Sequence, residues 1–161
     1  MTKFIFTITL FTMFSVSING QSIDQRQKHF NTDKQHLAIE GYDPVSYFNG
    51  KPLKGKIEWS TTNDGITYRF SSVANKNDFI ANPKKYQPAY GGWCAYAMSI
   101  KGEKVDVDPL TYKITNGRLL LFYNRFFTNT LESWNEQKSP ESELLKKGDQ
   151  SWEKFIGQSN F

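Results

Sequence analysis

Few side chains in this sequence can do chemistry at neutral pH. The stretch YGGWCAYAM, Tyr90 to Met98, holds the only cysteine, Cys94, and a methionine four residues later. Gly91-Gly92 lets the backbone turn sharply, and WCAYAMSI has no breaker before Gly102, so a short helix is predicted with Cys94 in its first turn. Unsatisfied N–H groups at such a start stabilise a thiolate. Met98 then shares a face with the thiol. A thiolate–thioether pair is soft enough for Cu(I) or another thiophilic metal. Against this, free cysteine is among the most buried residue types, and Ala95, Met98 and Ile100 are ordinary core residues. Two sulfurs rarely complete a site, and no CxxC pair or neighbouring histidine adds a third donor. The residues alone favour an inert core cysteine.

Other candidates are weaker. The two histidines, His29 and His36, stand seven apart in a polar stretch. A Cys-His couple needs His36 to fold back on Cys94. In VDVDP, Asp106 and Asp108 face one way if the segment is extended, as a cation site or an acid–base pair requires. Asp-Pro also starts turns, and the turn is the favoured reading. There is no G-x-S-x-G elbow, H-E-x-x-H helix, P-loop or G-x-G-x-x-G turn. No catalytic residue is assigned, and the chain reads as a binding domain more than an enzyme.

The elements that must position these residues follow an apolar start. MTKFIFTITLFTMFSVSING has a lysine, an apolar run from Phe4 to Ile18, then small and polar residues, the pattern of a secretory signal peptide. Cleavage is expected after Gly20, with Ser17 the second choice, so the protein is expected in the periplasm or secreted. No later segment is apolar enough to span a bilayer. Removal of residues 1–20 leaves 141 residues and 21 of the 25 aromatics, enough for one core. A single cysteine permits no internal disulfide. The net charge falls from +4 to +3 with the loss of Lys3, and the lysines are scattered, so the footprint of a nucleic-acid binder is missing.

Residues 21–36 are polar without periodicity and read as a flexible lead, with order starting near Leu37. LAIEGYDPVSYFNG is broken by turns, and VSYF fits either a helical turn or a short strand. Ile57–Thr62 and Ile66–Ser71 flank NDG as a hairpin, with Ile66, Tyr68 and Phe70 on a buried face. Ser71 or Ser72 caps a helix that carries Phe79 and Ile80 and ends before Asn82-Pro83. A second hairpin joins TYKI to RLLLFY through Asn116-Gly117. After Phe126 come two helical patterns. One lies around TNTLESWNEQ; the other starts at Ser139, with Pro140 at its first helical position, and carries Leu144, Leu145, Trp152 and Phe155. Hairpins mixed with helices predict one α+β domain, a small antiparallel sheet with packed helices, over residues 37–161.

Four segments in order, GYDPVSYF, YRFSSVANKNDFIANPKKY, YGGWCAYAM and DP…Y.ITNGRLLLFYN, resemble exported proteins of the YHS domain family. The match runs from about Ile39 to Tyr123. The resemblance implies a small α+β domain linked to transition-metal handling. In metal-linked members cysteines stand where this chain has Ser46, Ser71 and Asn75. Hydroxyl and amide groups are poor ligands for soft metals, so the usual thiolate set does not transfer. The longer exported branch carries the YGGxCA segment, present here as Tyr90, Gly91, Gly92, Cys94 and Ala95.

These readings converge on an exported YHS-like domain that binds a transition metal, copper first, through Cys94 with Met98. His36 and Asp43 are the added donors if the N-terminal segment packs over the helix. The alternatives are a ligand-free interaction module with a protein partner and no cofactor, and a thiol redox protein using the same cysteine.

Overall fold

Short-range signals set most of the elements in residues 23–157, which the computed structural model describes; the expected leader, residues 1–20, lies outside them. Strands β1 (Lys56–Asn63) and β2 (Ile66–Phe70) form an antiparallel hairpin through Asp64 and Gly65, both left-handed (φ 47° and 80°). Along β2, Ile66, Tyr68 and Phe70 have no exposure, as the alternation predicts. The Ser72 hydroxyl accepts from Asn75 N (3.1 Å) and starts α2 (Val73–Ala81), which lays Phe79 on Tyr68 and Phe70 with ring centroids 4.7 and 5.2 Å apart. Asn82 ends α2 and caps the single turn α3 (Pro83–Tyr86). VSYF resolves as a 3-10 turn, Ser46–Asn49, closed by left-handed Gly50.

The second half repeats the plan. After α4 (Ala95–Ile100), strands β3 (Asp108–Thr115) and β4 (Arg118–Phe122) pair through Asn116-Gly117. A third, very short hairpin follows: β5 (Asn124–Arg125) and β6 (Thr128–Asn129) around Phe126-Phe127. It carries no glycine or asparagine turn signal, and the sequence reading missed it. Helix α5 (Thr130–Asn135) leads to α6 (Glu141–Ile156), with Pro140 at the cap, one position before the place expected for it. Leu144, Leu145, Gly148, Trp152 and Ile156 are the buried stripe of α6. The described residues thus form a single-domain α+β fold of six helices and three two-stranded antiparallel sheets.

One expectation is corrected. The composition of residues 21–36 predicts a flexible lead, but α1 (Ile23–His29) forms there and Phe30 is buried against Trp152, with ring centroids 5.7 Å apart. Arg26 lies over the Phe30 ring at 4.3 Å. Asn31 N donates to Gly91 O (2.9 Å), and Gln27 Nε2 donates to Gly65 O (3.1 Å). A seven-residue helix is marginal alone. Contacts to residues 38 to 122 positions away hold it, and periodicity within the segment could not reveal them.

Candidate functional site

The segment carrying Cys94 runs beside β4. Pro88 bridges to Leu119 and Cys94 to Leu121, both parallel. Six steps along one chain therefore match two along the other, and the surplus loops out as the 3-10 turn Ala89–Gly92. Tyr90 and Gly91 take left-handed backbone (φ 56° and 61°) to make this excursion. For a buried tyrosine that conformation is strained. A Cβ on Gly91 would stand 2.7 Å from the Trp152 ring, so only glycine lets α6 close on the loop. Tyr90 Oη donates to Leu145 O (3.3 Å), and Arg118 stands 5.3 Å from the Tyr90 ring.

Cys94 is the N-cap of α4, one position before the first turn expected for it. Its backbone N–H donates to Val105 O (2.9 Å), and Met98 N donates to its carbonyl (3.0 Å). Its side chain makes no cap bond; Sγ lies 3.3 Å from Thr130 Oγ1. Cys94 and Met98 are both fully buried. The environment of the thiol is hydrocarbon plus one hydroxyl, far from the electropositive, accessible setting of a reactive cysteine.

The N-terminal segment does pack over this region, but with other residues than the proposed donors. Trp93 Nε1 donates to His29 O (2.7 Å), and His29 Nδ1 lies 2.7 Å from Lys104 Nζ. His36 sits at a left-handed position (φ 58°) whose N–H donates to Asp33 O and whose carbonyl accepts from Thr67 N. Among the described residues no three His, Cys, Asp or Glu side chains converge as a metal site.

Asp43 is engaged elsewhere. Its Oδ1 accepts from Val45 N (2.9 Å) and Ser46 N (3.4 Å). Its Oδ2 accepts from Ser71 N (2.8 Å), Ser71 Oγ (2.6 Å) and Asn75 Nδ2 (2.6 Å). Ser46 Oγ donates to Asp43 O (2.7 Å) and accepts from Leu53 N (2.9 Å). Ser46, Ser71 and Asn75, the three positions that the family resemblance marks, therefore meet around one buried carboxyl group. A carboxylate offers about four lone-pair sites, and five donors fill them. Hydroxyl, amide and saturated carboxylate do not fit a soft metal.

Of the paired aspartates, Asp108 makes the turn: Oδ1 accepts from Leu110 N (3.0 Å) and Oδ2 from Thr111 Oγ1 (2.8 Å). Asp106 instead joins Asp33 and Glu40 on the rim of an open groove of about 380 Å³ beside Trp93, floored by Leu37, Ile39 and Val107. Its acids come from two stretches far apart in the chain, residues 31–40 and 106–107, so no local motif announced it.

No family model, curated protein or solved structure matches this chain.

Proposed function

We propose that this chain is an exported YHS-like domain that acts as an interaction module, binding partners through its surface. The leading apolar segment and the four ordered motifs support the exported YHS-like part of the reading. The observation that carries the rest is the Asp43 cluster: the positions where metal-linked members of that family have thiolates all hydrogen-bond to Asp43. A cluster so satisfied braces the turn at residues 43–53 against the start of α2 and leaves no donor over. The buried Cys94 supports the same reading. Among the contact features exposed to solvent are the acid-rimmed groove and the Phe126-Phe127 turn, whose two rings are the most exposed large apolar side chains of the described residues.

The test is Cu(I) titration of untagged protein against a competing chelator, beside the Cys94→Ser variant. The reading expects equal, weak competition from both. Tight wild-type binding lost in Cys94→Ser restores the metal-binding alternative. Alkylation of Cys94 should be slow in the native protein and complete in denaturant. Rapid native labelling restores the thiol alternative.

A further inference from the structure

Each of the three hairpins closes through a two-residue turn in which both residues are left-handed. Two use residues suited to it: Asp64-Gly65 (φ 47° and 80°) and Asn116-Gly117 (φ 48° and 72°). The third uses Phe126-Phe127 (φ 51° and 63°). Asp-Gly and Asn-Gly satisfy such turns, whereas bulky aromatic residues there are strained. The rings do nothing for the core, since Phe126 is 87 % and Phe127 111 % exposed. Yet the tip is braced. Thr130 N and Oγ1 both donate to Tyr123 O (2.9 and 3.0 Å). Asn124 Nδ2 donates to Thr111 Oγ1 (3.0 Å), and Arg125 Nη2 donates to Val107 O (3.1 Å). Two phenyl rings on strained backbone are thus held out into solvent on a braced tip.

We propose that this tip anchors the domain to a lipid surface, with Phe126 and Phe127 entering the interfacial zone of a bilayer. The inference rests on the interaction-module reading and names its partner. Shape selects lipid over protein. The apolar surface of the tip is two adjacent rings with Asn124, Arg125, Thr128 and Asn129 directly beside them. A stable protein interface buries about 800 Å² per partner, and a narrow tip collared by polar residues supplies little of it. A bilayer needs no matching pocket. The collar also sets the depth: polar groups one residue from the rings stay at the headgroups, as in shallow insertion of about 5–10 Å. The charge is mildly favourable: without Lys3 of the leader the formal balance is +3, and Arg125 adjoins the rings, with Glu40 3.9 Å from its guanidinium. Attachment is weak and reversible, and stronger on anionic lipid.

The test uses the chain from Gln21 onward, which contains every core contact described above. Flotation compares wild type with Phe126→Asn/Phe127→Gly on vesicles of phosphatidylcholine, with and without phosphatidylglycerol. The double variant keeps the turn chemistry of the other hairpins, so its thermal midpoint should match or exceed that of wild type. Wild type should float, more so with phosphatidylglycerol, and the variant should lose about 100-fold or more in partitioning, as removal of two buried phenyl groups implies. In Phe127→Trp, fluorescence should shift to the blue on vesicle addition and be quenched by lipids brominated on their acyl chains. Equal flotation of wild type and double variant, or an unshifted, unquenched Phe127→Trp spectrum, overturns the proposal. So does binding of a protein partner that needs these rings while vesicles are ignored. The copper titration is independent of all these outcomes, so failure of the anchor and failure of the interaction-module reading are separable.

Discussion

Burying an acid without replacing its water costs roughly 2–7 kcal/mol even for a neutral polar group, and more for a charge. Asp43, with no exposure, escapes that cost because five donors replace its water. Cys94 is the opposite case, a small soft side chain whose burial needs only a cavity of its size. At His29 the environment opposes charge. Burial disfavours the imidazolium, and Lys104 and Lys28 add positive charge beside it, so the ring titrates below its usual 6.5. The unfolded chain therefore takes up this proton first as the pH falls. Stability from this group is complete above about 6.5 and declines from there down to the folded-state value. The thermal midpoint should fall between about pH 7.5 and about pH 5.5, and His29→Gln should flatten that slope while keeping an acceptor for Lys104. An equal slope in both proteins would assign the effect to other groups.

Helix α6 shows how an element is fixed by what it lies against. Arg118 Nη1 and Nη2 donate to Asp149 Oδ2 and Oδ1 (3.1 and 2.7 Å), joining β4 to α6 through a two-pronged pair. At the start of α6, Glu141 accepts from Trp134 Nε1 (2.7 Å) and Thr115 Oγ1 (2.8 Å) and pairs with Lys113 (2.6 Å), tying in α5 and β3. Burial alone would raise the Glu141 carboxyl, but these partners outweigh it and lower it below its usual 4.5. Between these ties lies Gly148, whose added Cβ would meet Tyr90 Oη at 2.5 Å and Ser99 Oγ at 2.6 Å. In an open helix Gly→Ala gains about 1 kcal/mol. Overpacking costs about 1–3 kcal/mol and occasionally more, and contacts this short put the cost at the upper end. Gly148→Ala should therefore lose about 1–2 kcal/mol in urea denaturation. A gain in stability would mean that Tyr90 can move aside.

At the scale of the molecule, α1 closes the fold by joining parts distant in sequence. With the two residues that follow it, α1 reaches the β1–β2 turn through Gln27, the Tyr90–Trp93 loop through His29 and Asn31, and α6 through Phe30. Aromatic-to-alanine changes in a core cost about 3–5 kcal/mol. Phe30→Ala should lose about 3 kcal/mol, near the low end because the ring keeps an edge in solvent, and should expose Trp152 to quenchers. A loss below about 0.5 kcal/mol, the size of a surface substitution, would return residues 21–36 to the flexible lead read from sequence. No helix among the described residues is long and apolar enough to cross a membrane.

The amino-acid sequence determined what depends on neighbours: the Asp64-Gly65 and Asn116-Gly117 turns, the alternation of Ile66, Tyr68 and Phe70, the Ser72 cap, the end of α4 before Gly102 and the α+β class. Each rests on φ/ψ preference or capping within a few residues, and such signals survive without knowledge of the rest of the chain. Tertiary structure alone decided that Cys94 is sealed, that α1 exists, that Asp43 gathers Ser46, Ser71 and Asn75, and that Phe126-Phe127 form a turn facing water. The first three depend on groups 28 to 122 residues apart in the chain, and the last on a hairpin braced from outside. Burial is the sum of contacts made after the chain has folded back on itself, and no local pattern records that sum.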